Sequence, residues 1–99
     1  MKAAEWIDRV KTKRQIDSDY RVAKVLGLSR SAISGYRSKT PTLDEKSCFS
    51  VAIALGERPE AVLLDQAAER IKDPKARTTL SDMARALCIL CLTPNGKFV

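Results

Sequence analysis

The chain has 99 residues, 18 of them basic and 12 acidic, and its formal net charge is +6. This length suits one domain that folds without metal or disulfides, and a hydrophobic content of 44% excludes an intrinsically disordered chain. The longest apolar run, residues 86–92, is far too short to cross a bilayer, and residues 1–5 lack the apolar character of a signal peptide. We therefore expect a cytoplasmic protein without membrane contacts.

Apolar residues recur at helical spacing and nowhere alternate as in a strand, so the sequence predicts an all-α fold. The first helix covers residues 3–13, and its apolar side consists of Ala3, Trp6, Ile7 and Val10. The second helix is capped by Asp17 or Ser18 and ends at Gly27. Its inward residues are Val22, Ala23 and Leu26. A third helix is capped by Ser29, and its residues facing the core are Ile33 and Tyr36.

Three further helices follow the loop at residues 38–41. Thr42 and Glu45 have the spacing of a capping box, which predicts that the fourth helix begins at Thr42, and Gly56 ends it. Its inward residues are Cys48, Val51, Ala52 and Leu55. Pro59 begins the fifth helix, with inward residues Leu64, Ala67, Ala68 and Ile71. Pro74 begins the sixth, with an apolar stripe of Leu80, Met83, Ala84, Leu87 and Cys91. We expect residues 1–72 to form one domain and residues 73–99 a C-terminal appendage.

Residues 19–39 carry the residue types that two helices crossing steeply through a short turn require. The first helix needs a small residue at the crossing, which is Ala23, and the turn needs a residue tolerant of positive φ, which is Gly27. An apolar plug, Leu28, and a helix cap, Ser29, come next. Ile33 then anchors the second helix in the core. The spacing predicts a helix-turn-helix.

The balance of basic and acidic residues changes sign at the end of the predicted motif. Residues 20–39 contain five basic residues and no acidic one, whereas acids outnumber bases in residues 40–73. A segment of this kind is suited to meet an anion such as the phosphate backbone of a nucleic acid.

In this pattern the chain resembles helix-turn-helix proteins of the Cro and lambda-repressor type, the XRE family. These carry alanine, then glycine four residues on, then isoleucine or valine six further, which Ala23, Gly27 and Ile33 match. The resemblance implies a five-helix lambda-repressor-like DNA-binding domain, here with an added C-terminal helix. The size and the added helix are also similar to short repressors of filamentous phages. The resemblance thus predicts a transcriptional regulator of a bacterial cell, encoded by a phage or prophage.

The resemblance also places the second helix of the motif, residues 29–38, in the major groove of double-stranded DNA. Its outward, base-reading residues are Arg30, Ser31, Ser34, Gly35 and Ser38. Arg30 can donate two hydrogen bonds to guanine O6 and N7, or it contacts phosphate only. The expected phosphate contacts are Ser18, Tyr20, Arg21, Ser29, Arg37 and Lys39. Asp17 and Asp19 depart from the family, which often has glutamine at the start of this helix, in contact with a backbone phosphate. Phosphate would repel an acid there unless the acid turns to cap the helix.

Such proteins usually bind as pairs, and residues 86–92 are apolar nearly all round. One interpretation is a homodimer interface that lets the regulator bind a pseudo-palindromic operator, and another is intramolecular core. The interface residues are Leu80, Met83, Leu87, Ile89 and Leu90. The alternative function is a protein-interaction module, an antitoxin or an anti-repressor target, whose C-terminal helix binds a protein partner.

The sequence argues against an enzyme and against a cofactor. It has no histidine and no glycine-rich phosphate loop, so no catalytic set can be assembled from it. Cys88 and Cys91 fall within a predicted helix and lack two further ligands, so we expect buried thiols rather than a zinc site.

Overall fold

A computed structural model describes residues 1–87, and over that range the chain forms six helices and no strand. The helices are α1 (Ala3–Arg14), α2 (Asp19–Leu26), α3 (Arg30–Ser38), α4 (Glu45–Leu55), α5 (Pro59–Arg70) and α6 (Pro74–Leu87). The predicted all-α fold is confirmed. Within the described range, no helix has the length and apolar character that a membrane span requires.

The helix ends near the predicted motif follow the local sequence signals. The Ser18 hydroxyl accepts a hydrogen bond from the Arg21 amide at 3.2 Å, and the Ser29 hydroxyl accepts one from the Ala32 amide at 3.0 Å. Of the two predicted caps for α2, Ser18 is therefore the one used. Gly27 ends α2 in the left-handed conformation, with φ of 68°.

The predicted capping box at Thr42 is wrong. Asp44 caps α4 instead, because its carboxylate accepts a hydrogen bond from the Ser47 amide at 2.7 Å. The Thr42 hydroxyl is used elsewhere, as the acceptor of a hydrogen bond from Arg70 Nε at 3.2 Å. Leu43 between them is fully buried, which fixes where the loop turns into α4.

The core lies where α1, α2 and α4 meet, and the inward faces predicted for these three helices are confirmed. Its largest apolar members are Trp6, Ile7, Val10, Val22, Leu26, Ile33, Leu43, Val51, Leu55 and Val62. Cys48 is also buried, and burial raises the pKa of its thiol to about 11. A thiol held in its protonated form there behaves as a small core residue rather than as a nucleophile.

The predicted inward face of α5 is largely wrong. Of its four residues only Ala68 is buried, and the buried positions are otherwise Ala61, Val62 and Gln66. Gln66 is tolerated in the core because both the oxygen and the nitrogen of its amide form hydrogen bonds. It accepts a hydrogen bond from the Leu43 amide and donates one to the Met1 carbonyl, each at 2.7 Å.

Helix α6 packs on α5 and leaves part of its apolar stripe in solvent. Ala84 is buried, Leu80 and Leu87 are half-buried, and Met83 is 48% exposed. Leu80, Met83 and Leu87 are the described members of the predicted dimer interface. Ile89 and Leu90 lie outside the described residues, as do Cys88 and Cys91. The homodimer and the division at residue 72 stay predictions.

Candidate nucleic-acid interface

The turn between α2 and α3 is built by the residues that the predicted motif required. The Leu28 amide donates a hydrogen bond to the Ala23 carbonyl at 2.9 Å, and the Gly27 amide donates one to the Lys24 carbonyl at 3.2 Å. These two bonds close the end of α2 as a Schellman motif. Ala23 is 2% exposed where the helices cross, and Leu28 packs against the core. The turn therefore holds α3 at a fixed angle to α2.

Helix α3 buries one side and presents the other to solvent. Ile33 is 2% exposed, and Tyr36 is half-buried with its hydroxyl 3.1 Å from the Ser47 hydroxyl. The predicted base-reading residues all lie on the opposite stripe. Arg30, Ser31, Ser34 and Ser38 are exposed and Gly35 is half-buried. The structure thus brings the whole predicted set together on one face.

Surface depressions run along both sides of α3. One is lined by residues that include Tyr20, Arg30 and Ser34, and the other by residues that include Gly35 and Thr42. The exposed stripe of α3 therefore stands as a ridge between two hollows, a shape that allows a helix to enter a groove.

A third depression at the C-terminal end of α3 contains a residue that the sequence analysis missed. Lys2 lines it together with Ser38 and Lys39. A backbone hydrogen bond from the Ala3 amide to the Pro41 carbonyl, 2.7 Å long, brings the start of the chain to this end of α3. No local sequence signal indicates that contact.

The serine hydroxyls on this surface differ in what they can still donate. Ser18 and Ser29 use their oxygen atoms to accept capping bonds, so each keeps its hydroxyl hydrogen for an outside acceptor. Ser38 instead donates its hydrogen to the Ser34 carbonyl at 2.9 Å. The two caps therefore suit a phosphate oxygen, whereas Ser38 faces a ligand as an acceptor.

Arg37 differs from the expectation that it is free to meet phosphate. Its guanidinium makes a two-point contact with Asp19, at 2.8 and 3.1 Å, and a third contact with Asp8 at 2.8 Å. Lys11 also lies 3.1 Å from Asp19. In this structure Arg37 fastens α3 to α1 and α2 and is already paired. The expected phosphate contact of Arg37 is replaced by an internal one, because both carboxylates lie within its reach.

The same cluster accounts for the acid at position 19. Hydrogen bonds from Arg37 are the main reason that the pKa of Asp19 falls to about 2. The carboxylate points at cations within the protein, so it does not oppose an approaching phosphate as an unpaired acid would. Asp17 differs: it is exposed and lies 3.5 Å from Arg21, a contact of the weak surface kind.

Replacing Arg37 with methionine should lower the free energy of unfolding by about 1 kcal/mol at pH 7, because two carboxylates that are partly screened by solvent lose a charged donor. The pKa of Asp19 is near 3.9 when the chain is unfolded and about 2 when it is folded, so the stabilisation is complete above about pH 5 and declines as pH falls towards 2. Urea unfolding at several pH values measures both effects. The loss in wild type between pH 4 and 2 should exceed that in the variant.

The matched control is Arg21→Met, which removes the exposed pair with Asp17. It should change the free energy of unfolding by less than about 0.5 kcal/mol. Equal losses in the two variants would mean that Arg37 does not fasten the helices.

No protein-family model matches the chain, and neither a curated protein nor a solved structure matches it. Within residues 1–87, no group of three or more metal-ligating side chains is placed to hold an ion. The features of the molecule that bear on function are therefore the geometry and charge of the α3 surface.

Proposed function

We propose that this chain is a sequence-specific DNA-binding transcriptional regulator that inserts α3 into the major groove. The observation that carries the proposal is the exposed stripe of α3, anchored from behind by Ile33 and standing between two hollows. The resemblance to the Cro and lambda-repressor type and the acid-free charge of residues 20–39 support it.

In this proposal, the residues of the stripe divide the work of recognition. Arg30 donates two hydrogen bonds to guanine O6 and N7, and Ser31 and Ser34 form less selective bonds with base edges. Gly35 allows close approach, because beyond its own stretch of helix backbone no protein atom lies within 4 Å of where its Cβ would be. With so few long side chains, much of the specificity must come from Arg30, from bridging water and from DNA shape.

Phosphate contacts then flank the stripe on both sides. The proposed donors are the hydroxyls of Ser18, Ser29 and Tyr20 and the exposed cations Arg21, Lys39 and Lys2. These contacts neutralise phosphates and release counterions, so binding should weaken steeply as salt increases.

We further propose a phage-type repressor that works as a homodimer in the bacterial cytoplasm. One α3 covers a single half-site, so a pair bound about the two-fold axis of a pseudo-palindrome gives the affinity that an operator needs. The incompletely buried stripe of α6, with Met83 exposed, also supports the second candidate, a module that binds a protein partner.

Selection of binding sites from random duplex DNA, combined with sedimentation, tests the proposal. We expect an enriched pseudo-palindrome with half-sites one helical turn apart, about 34 Å, and a complex containing two chains. Failure to enrich any sequence, at low salt as well as high, would contradict the function. Enrichment of a single half-site by a monomer would leave the DNA-binding part and exclude the homodimer.

Replacing Arg30 with alanine should weaken specific binding by about 1–3 kcal/mol and relax the preference at one base position. The reason is the loss of the bidentate contact with guanine. Competition titrations against operators changed at single positions measure it. Arg58→Ala removes the same charge from an exposed site at the start of α5 and should leave the base preference unchanged. An unchanged preference in Arg30→Ala would restrict Arg30 to phosphate contact.

Replacing Gly35 with alanine should stabilise the fold by up to about 1 kcal/mol while weakening DNA binding by about 1–3 kcal/mol. Beyond the local helix backbone the methyl group meets no protein atom within 4 Å, but in the proposed complex it fills space that a base needs. Thermal unfolding and DNA titration measure the two effects. Gly27→Ala is the contrast, because its φ of 68° makes alanine destabilising there. Tighter DNA binding by Gly35→Ala would place the groove elsewhere.

A further inference from the structure

Tyr20 is an aromatic residue at the surface with two cations over its ring. It lies in the first turn of α2, and its side chain is 50% exposed. Lys24 Nζ lies 4.5 Å from the ring centroid, and the guanidinium carbon of Arg30 lies 5.4 Å from it. Both distances are within the range of a cation–π interaction.

The contact with Arg30 joins α2 to the first residue of α3. Arg30 begins α3, and its long side chain would otherwise sample many rotamers in solvent. A ring face limits this freedom and favours one placement of the planar guanidinium. The side chain is thereby ordered before any ligand arrives, which lowers the entropy that binding must overcome.

The two arginines of α3 are held by different kinds of group. Arg37 uses its N–H donors on the carboxylates of Asp19 and Asp8. Over the described residues, no ion pair engages Arg30, and its contact with Tyr20 is through the π face of the ring. A guanidinium held in this way keeps its in-plane N–H donors available, and these are the groups that a guanine edge accepts.

We propose that Tyr20 is a positioning residue that determines specificity, because its ring orients Arg30 towards a guanine in the major groove. This inference rests on the proposed function and deepens it. The aromatic face of Tyr20 orients Arg30, and the hydroxyl proposed to contact phosphate has no part in the base preference. Lys24 on the same ring adds charge near the backbone without reading a base.

The first test uses the free protein, so it needs no DNA. Ring currents from Tyr20 should shift the NMR signals of the Arg30 side-chain protons upfield. Tyr20→Phe should keep that shift, and Tyr20→Leu should remove it. Arg30 signals that are the same in Tyr20→Leu as in wild type would overturn the inference before any binding measurement.

The second test measures base preference on the operator obtained by selection. Tyr20→Leu should bind about ten-fold more weakly and relax the preference at the position affected by Arg30→Ala. Tyr20→Phe should keep that preference, and adding Tyr20→Leu to Arg30→Ala should cause little further loss. Arg30→Lys leaves the ring intact and should relax the same position. Lys24→Met is the control, with weaker binding to all sequences alike.

The outcomes separate the inference from the function on which it rests. The inference alone would be overturned if Tyr20→Leu kept the full base preference, or if Tyr20→Phe lost as much base preference as Tyr20→Leu. A wild-type protein that selects no sequence would instead contradict the proposed function, and the specificity role would fall with it.

Discussion

Ser34→Glu should abolish sequence-specific DNA binding while leaving the fold intact. Ser34 lies in the middle of the exposed stripe of α3, and glutamate is at least as good a helix former as serine. In the proposed complex its carboxylate would be forced between base edges and phosphates. Juxtaposed like charges cost several kcal/mol, so the affinity should fall by more than about 100-fold.

Fluorescence anisotropy titration with the selected operator at fixed salt measures this loss, and thermal unfolding checks the fold. The matched control is Thr78→Glu, which adds the same charge at an exposed position on α6. It should bind within about two-fold of wild type, since Thr78 is not part of the α3 surface and salt screens the charge of an exposed side chain. If Ser34→Glu bound as well as Thr78→Glu, α3 could not be the helix that enters DNA.

The parts of this fold that the sequence predicts well are those decided within a few residues. Ser18 and Ser29 each cap a helix by accepting a hydrogen bond from the amide three residues further on. Gly27 ends α2 by donating its amide hydrogen to carbonyls three and four residues earlier. The exposed stripe of α3 follows from helical spacing in the same way, once Ile33 marks the buried side. Local physics therefore sufficed to predict which residues of α3 face outward.

One local prediction, the capping box at Thr42, is wrong because Asp44 caps the same helix. Further differences concern contacts between residues far apart in the chain. Arg37 was expected to meet phosphate, but its partners Asp19 and Asp8 come from two other helices, and only their packing brings them within 3 Å. The burial of Gln66 was missed for the same reason, because its hydrogen-bond partners are the distant residues Leu43 and Met1. Spacing alone contains no information about such pairs.

The cation–π contact of Tyr20 belongs to the same class. Tyr20 and Arg30 are ten residues apart and lie on different helices, so the angle fixed at Gly27 decides whether they meet. A sequence pattern predicts the turn that brings the two helices together, but it does not predict that Tyr20 and Arg30 are in contact. The least predictable features of the candidate site are therefore the ones that orient its side chains.

Replacing Ile33 with alanine should be among the most destabilising changes on this surface, with a loss of about 2–5 kcal/mol in the free energy of unfolding. Ile33 is 2% exposed and is the residue of α3 that is inserted in the core. Tyr36, the other residue on that side of α3, is only half-buried. Truncation removes apolar burial and leaves a cavity behind α3. Set against a total stability of about 5–15 kcal/mol for a native domain, such a loss is severe.

Urea unfolding measures the loss, and Ile53→Ala provides a control with the same chemistry. Ile53 lies on α4 and is 74% exposed, so its truncation should change the free energy of unfolding by no more than about 0.5 kcal/mol. Ile33→Val should fall between, at about 0.5–1.5 kcal/mol. Where Ile33→Ala remains folded, its DNA affinity should also fall, because the stripe of Arg30 and Ser34 is only as well placed as the residue behind it. Equal costs at positions 33 and 53 would mean that α3 is not held in the core by Ile33, and the ridge that it forms would lose its support.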